Sequence, residues 1–273
     1  MYLCPRCGSY SVCDEGFPEG QESLFYSTID ESCYVEYFRP FRSSQYRHVL
    51  GKLAPGSGRA HLDIGTSYGW MVEVGLDLGL DSYGIEPGDA RYDPLVDGRI
   101  LRTSLHDYWR KRTRQFDVVT AWHVLEHFPE PLAALRQMRD LLADGGSLVL
   151  AVPTSSGRMF QLAVLLYRAL GSQRLIDELF YSHNPNMHFT YPNLASLAFM
   201  LQQADLEVVQ HETMESFDWT TIWKRAHTKL SRGVLKWAGP ALKMSGFTRA
   251  ENLVVVSRKR VRSTDEPPPG PVL

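Results

Sequence analysis

Cysteine is nearly absent from this chain. Its 273 residues hold four, Cys4, Cys7, Cys13 and Cys33, and none follows residue 33. Disulfide staples are thereby excluded for most of the chain, which must be held by its own core. There is no run of about 18 apolar residues, so no helical membrane span is expected. Met1-Tyr2-Leu3-Cys4-Pro5-Arg6-Cys7 lacks the apolar stretch of a secretory leader, and the expected location is the cytoplasm. Neither sign of charge is in excess. Lysine and arginine number 29 against 31 acids, a formal net charge of −2, so no global field favours nucleic acid. The glycines form no G-x-G-x-x-G and no phosphate-loop lysine follows them, which disfavours a dinucleotide-dependent oxidoreductase and a P-loop enzyme. Hydrophobic content of 44% and charged content of 22% suit a globular protein, long enough for one α/β domain with a small appendage.

What is present is a β-α-β pattern. Ala60-His61-Leu62-Asp63-Ile64 is a short apolar run ending near an acid. Gly65-Thr66-Ser67-Tyr68-Gly69 then turns into a helical pattern, and Tyr83-Gly84-Ile85 ends at Glu86-Pro87. Gly65 and Gly69 allow a tight turn and a close backbone approach to a ligand. Glu86 falls about 20 residues after the turn, where an acid at a strand end accepts hydrogen bonds from a ribose diol. A second block follows. Phe116-Asp117-Val118-Val119-Thr120-Ala121-Trp122 reads as a buried strand running into His123-Val124-Leu125-Glu126-His127. Leu132, Leu135, Met138 and Leu141 mark a helix, which Asp144-Gly145-Gly146 is expected to end. Ser147 to Pro153 is the next buried strand.

D-x-G-x-x-x-G with its acidic strand end, then F-D-V-V, H-V-L-E-H, a helix, D-G-G and L-V-L-A-V-P, resembles the class I S-adenosylmethionine (SAM) methyltransferases of the type 11/23 group. The resemblance spans residues 48–260. It implies an α/β, Rossmann-like, seven-stranded and mostly parallel sheet with helices on both faces. It also implies SAM contacts from Asp63, Gly65, Thr66, Ser67, Gly69, Glu86, Pro87, Ser104, Leu105, Ala121, Trp122 and His123. Ser104 and Leu105 stand where the family meets the adenine ring. The implied activity is methyl transfer to a small molecule such as a sugar, glycan precursor or natural-product scaffold. The alternative is a protein of this fold that binds a ligand or partner without catalysis.

Methyl transfer needs nucleophile, methyl carbon and sulfur in line, and a base where the nucleophile carries a proton. Candidate bases are His123, His127 and His188, with His183 and Tyr191 nearby in sequence. His123, Glu126 and His127 share one face if helical, a spacing that can also bind a divalent cation. The preferred reading is packing and pocket lining, without a metal. Cys4-Pro5-Arg6-Cys7-Gly8 looks like half of a zinc knuckle, which Cys13 and Cys33 would complete; the competing readings are a disulfide in a secreted chain, which the lack of a leader argues against, and a remnant that has lost its metal.

The organisation expected is a cysteine segment over 1–40, a SAM-binding domain over 41–262 and a disordered tail over 263–273. Two insertions, about 154–190 and 215–248, are long enough to cap the strand ends. In the first, Met159, Leu162, Ala163, Leu166 and Leu170 recur at helical spacing. In the second, Trp223, Ala226, Leu230, Val234 and Trp237 share a face beside several bases. A helix of this kind can lie on a membrane surface. The preferred expectation is that its apolar stripe packs on the cap. The sequence leaves the oligomeric state open.

Overall fold

The computed structural model describes residues 1–12, 31–53, 58–88, 90, 94–180, 188–218, 229–248 and 250–260. Cys13, the Cys33 side chain, His183, Trp223, Ala226 and the tail lie outside the described residues. In chain order the strands are β1 (Tyr2–Leu3), β2 (Tyr10–Ser11), β3 (Ala60–Ile64), β4 (Asp81–Ile85), β5 (Ile100–Leu101), β6 (Phe116–Trp122), β7 (Leu142–Pro153), β8 (Thr190–Tyr191), β9 (Leu206–Met214) and β10 (Asn252–Lys259). The helices are α1 (Glu31–Leu53), α2 (Trp70–Asp77), α3 (Pro94–Asp97), α4 (Leu105–Lys111), α5 (Pro131–Asp140), α6 (Arg158–Leu170), α7 (Arg174–Phe180), α8 (Leu194–Gln203) and α9 (Lys229–Met244).

Seven strands form one sheet in the order β5-β4-β3-β6-β7-β10-β9. The first five run parallel, and β10 is antiparallel to both β7 and β9. The central strands read as continuous apolar runs because helices cover both faces. Val119, Leu148 and Leu150 point toward Leu135, Met138, Leu197 and Leu201 of α5 and α8. Val118 and Val149 point toward Val49 and Leu50 of α1 and Met71 and Val74 of α2. The expected α/β sheet is therefore present. Strand order reverses between β3 and β6, so the crevice outside their carboxyl ends is where this architecture binds ligands.

Three local expectations are corrected. The helix before β7 already stops at Asp140, and Asp144-Gly145-Gly146 lies inside the strand instead of capping the helix. It forms a bulge, because the β6–β7 register jumps from Phe116↔Leu142 to Val118↔Ser147. A Cβ on Gly146 would sit 2.9 Å from the carbonyl oxygens of Phe116 and Ala143, so only glycine fits there. Next, the buried face of α6 is not the stripe expected. Phe160, Ala163 and Val164 are buried with Phe180, Tyr191 and Tyr10, while Leu162 and Leu170 face solvent. Finally, α1 begins at Glu31 and runs through the expected boundary near residue 40.

The N-terminal hairpin is not an isolated appendage. β2 pairs with β8, Tyr10 opposite Tyr191, to make a three-stranded sheet. Tyr10 also meets Phe160, ring centroids 5.0 Å apart. No helix among the described residues is long and apolar enough to cross a membrane.

Candidate active site

The turn after β3 is built from left-handed backbone: φ is 66° at Gly65, 51° at Ser67 and 82° at Gly69. The glycines serve packing more than ligand approach. A Cβ on Gly65 would lie 2.5 Å from Val124, and one on Gly69 would lie 2.7 Å from Ile100. The turn is thus pressed against the loop after β6 and against α3 and the start of β5. Glu86, buried past the end of β4, closes the turn from the other side. Its Oε2 accepts from the Ser67 N–H at 2.9 Å and its Oε1 from the Gly88 N–H at 2.9 Å.

Asp63 lies beneath this turn and accepts from the Thr120 hydroxyl at 2.5 Å. Burial raises its carboxyl to about 7, against the lowering pull of that hydrogen bond. Thr120 also meets His61 Nε2 at 3.0 Å, and His61 Nδ1 meets Ser82 Oγ at 2.7 Å. Thr120 and His61 of this buried polar row were not singled out in the sequence. Its signal was there: a histidine, a threonine and a serine inside otherwise apolar strands.

The loop after β6 carries the other half. His123 has φ 56°, unusual for a non-glycine residue and a mark of a backbone held by its surroundings. His123 Nδ1 lies 3.0 Å from Glu126 Oε1. Glu126 is fully buried in the turn Leu125–His127, and burial raises its carboxyl to about 7. Burial, and then the Arg42 guanidinium, hold the His123 imidazole well below its ordinary value. Arg42, from α1, was missed in the sequence, where it looked like one surface base among many. It is buried and lies over Phe38 at 5.9 Å.

His188 arrives from 61 residues away. The Phe189 N–H donates to the Glu126 carbonyl at 2.7 Å, and the His188 and His127 rings lie 4.9 Å apart. Tyr191 donates its hydroxyl to the Leu179 carbonyl, so its oxygen accepts from His188 Nδ1 at 3.1 Å. Donor atoms of Glu126, His127 and His188 lie within 4.8 Å of one another, a set a cation could use. Buried Ser67 Oγ, Trp122 Nε1, His123 Nε2 and Glu126 Oε2 have no hydrogen-bond partner among the described residues. All four gather at the carboxyl edge of β3 and β6, so the site suits a polar ligand.

The remaining expected contacts are placed as follows. Pro87 is exposed at the rim, beside Glu86. Ser104 caps α4, accepting from the Asp107 N–H at 3.1 Å, and Leu105 is in the core. Ala121 is buried within β6 and Trp122 packs edge-on against Tyr46, centroids 5.0 Å apart. Thr66 is buried in the turn. Cys4 and Cys7 sit in a tight turn in which the Gly8 N–H donates to the Cys4 carbonyl at 2.9 Å.

A switch-point crevice, a glycine turn closed by an acid and a histidine–carboxylate pair define a SAM-fold transferase, and the family match agrees. The family described as "Methyltransferase domain" matches residues 38–211. The chain belongs to it and is a SAM-dependent methyltransferase. The ubiquinone biosynthesis O-methyltransferase of Ruegeria pomeroyi is 26% identical over 188 residues, 66% of this chain and 73% of the relative. The protein of that description from Vibrio vulnificus is 25% identical over 171 residues, 58% and 68% respectively. Among solved structures, the cyclopropane synthase MmaA2 from Mycobacterium tuberculosis has a TM-score of 0.60 at 13% identity, covering 89% of this chain and 98% of its own. The Burkholderia thailandensis 1,6-didemethyltoxoflavin-N1-methyltransferase, with bound S-adenosylhomocysteine, has a TM-score of 0.54 at 14% identity, covering 96% and 99%. At such identities the structures bear on the fold alone.

Proposed function

We propose that this enzyme methylates a hydroxyl group of a small-molecule acceptor, with His123 as the base and Glu126 as its orienting partner. SAM supplies the methyl group and a good leaving group. Gly65–Gly69 and Glu86 hold it, and the chain must then align the acceptor and take its proton. The observation that carries the reading is the His123–Glu126 pair. Glu126 Oε1 accepts from Nδ1, which leaves the unpartnered Nε2 with a lone pair at the crevice. Relatives described as O-methyltransferases support an oxygen nucleophile. The insertions holding α6, α7 and α9 serve as the lid that selects the acceptor and excludes water. This chemistry uses Glu126, His127 and His188 as hydrogen-bonding and packing groups, not as metal ligands.

A screen of hydroxylated acceptors, read by mass spectrometry for gain of one methylene on oxygen, tests the reading. Methylation confined to amines or carbon would overturn it. The cofactor contacts have their own test. Glu86→Ala should weaken SAM by about 1.5–3 kcal/mol, the range for losing hydrogen bonds to a charged group. Unchanged affinity in calorimetry removes Glu86 from the ribose site.

The N-terminal turn is proposed to hold one structural zinc through Cys4 and Cys7, with Cys13 and Cys33. The Cys4 thiol is held below its ordinary value, first by the Cys7 backbone N–H, while burial pushes the Cys7 thiol up. A lowered thiol next to a second cysteine suits a metal turn. Elemental analysis of chelator-free protein should find about one zinc per chain. Absence of zinc with four freely titrating thiols defeats the assignment.

A further inference from the structure

Of the apolar stripe expected in the second insertion, Val234 and Trp237 of helix α9 are among the residues whose side chains are described, and neither packs on the cap. Val234, Trp237, Ala241 and Met244 lie at spacings of three, four and three residues, so they share one face. That face is open: Val234 is 58% exposed, Trp237 80% and Met244 85%, with Ala241 exposed between them. The helix rests on the protein through another side, where Gly239 is buried and Ala238 and Leu242 are half-buried. Exposed aromatic and aliphatic side chains in a row are unusual unless something covers them.

The composition of the segment that holds this stripe says what would cover it. Residues 219–250 contain seven bases (Lys224, Arg225, Lys229, Arg232, Lys236, Lys243 and Arg249) and no acid. The rest of the chain holds 22 bases against 31 acids, so the cationic character of this enzyme is concentrated here. Lys243 faces inward, 3.5 Å from both Glu215 and Asp218. Lys236 is exposed beside Trp237. A nucleic acid would answer the bases but leave the aliphatic stripe in water. A bilayer with anionic headgroups answers both, since acyl chains suit the stripe and headgroups suit a segment rich in bases and without acids.

The location adds a third argument. The segment holding α9 joins Met214 to Asn252, and Asn252 pairs with Pro153 at the carboxyl end of β7. This is the edge that carries the Gly65–Gly69 turn and His123. Helix α6 leaves the same edge, with Leu165 61% and Leu170 73% exposed. Arg158 of α6 stands 6.0 Å over the Phe247 ring just past α9, so the two segments touch. We infer that α9 is a docking surface for anionic membrane lipid, which presents the catalytic edge of the sheet to the bilayer.

The test uses the full chain and sedimentation with vesicles. Protein should partition onto mixed phosphatidylcholine–phosphatidylglycerol vesicles more strongly than onto phosphatidylcholine alone, and added salt should weaken the binding. Arg232→Gln with Lys236→Gln should lower that partitioning by roughly 25-fold, about fivefold for each base. Trp237→Ser with Val234→Ser should weaken binding to both vesicle types. Thermal unfolding and SAM affinity of each variant, read separately, certify the fold and leave the methyl-transfer reading untouched. Absence of vesicle binding, equal binding to both vesicles, or variants that bind like the parent would overturn the inference. So would a self-association that Trp237→Ser abolishes, which would make a second copy the occupant.

Discussion

His123→Ala should lower turnover by roughly 10²–10⁴-fold while SAM affinity stays near that of the parent. The size follows from the loss of a positioned base. The selectivity follows because His123 stands after β6, whereas Glu86 and the glycine turn flank the other side of the crevice. The pair also fixes a pH dependence. His123 is held well below its ordinary value and is neutral throughout the working range. Glu126 is raised to about 7. Above that pH its carboxylate accepts from Nδ1, and Nε2 is free to take a proton. Below it, the protonated carboxyl donates to Nδ1 and drives the imidazole proton onto Nε2, which removes the base. Turnover should therefore fall as pH drops through about 7 and level off above it, and Glu126→Gln should remove that inflection. Full turnover in both His123→Ala and His188→Ala would mean that alignment alone drives the reaction.

The second large effect is on stability, and His61 is its source. This imidazole is fully buried between Ser82 and Thr120, with no carboxylate hydrogen-bonded to it among the described residues. Burial lowers it from 6.5 to about 3. The unfolded chain thus takes up this proton first as pH falls. The neutral imidazole's contribution is fully present above about 6.5 and is lost progressively toward pH 3, at about 1.4 kcal/mol per pH unit. Over the whole window that is about 5 kcal/mol, comparable with the net stability of a domain. Asp63 works in the opposite sense. It rises from 3.8 to about 7, so the folded state holds its proton more tightly, and its contribution is lost as pH rises through that range. Urea unfolding at a series of pH values separates the two. Between pH 6 and 4, His61→Asn should reduce the slope of stability against pH by about 1.4 kcal/mol per unit, and Asp63→Asn should steepen it by a similar amount. If both variants keep the parent slope, the buried row does not titrate in this way.

Local pattern accounts for much of what could be read in advance. The apolar runs at Leu62–Ile64, Val118–Trp122 and Leu148–Val152 are central strands, since nothing but a doubly covered sheet accommodates them. The Gly65–Gly69 turn and Glu86 follow from the same reading, because the parallel register places Ile64 beside Ile85 and brings the two strand ends together. Where the pattern misled, the deciding contact was distant. Gly145 and Gly146 resemble a helix stop, yet the register against β6 makes them part of a bulge, where the carbonyls of Phe116 and Ala143 leave room only for glycine at Gly146. The stripe on α6 reads as one face, yet Tyr10 and Tyr191 bury another.

The sequence by itself determined the sheet, its helices and the glycine turn after β3, because hydrophobic period and glycine placement act over a few residues. Tertiary structure alone decided which titratable groups meet. It brought Arg42 of α1 to His123, set His188 against His127 and left Trp237 facing outward. Those outcomes depend on how layers pack and where insertions land. The electrostatics of burial, which sets Glu126 and Asp63 near 7 and His61 near 3, exists only once water has been removed from around them.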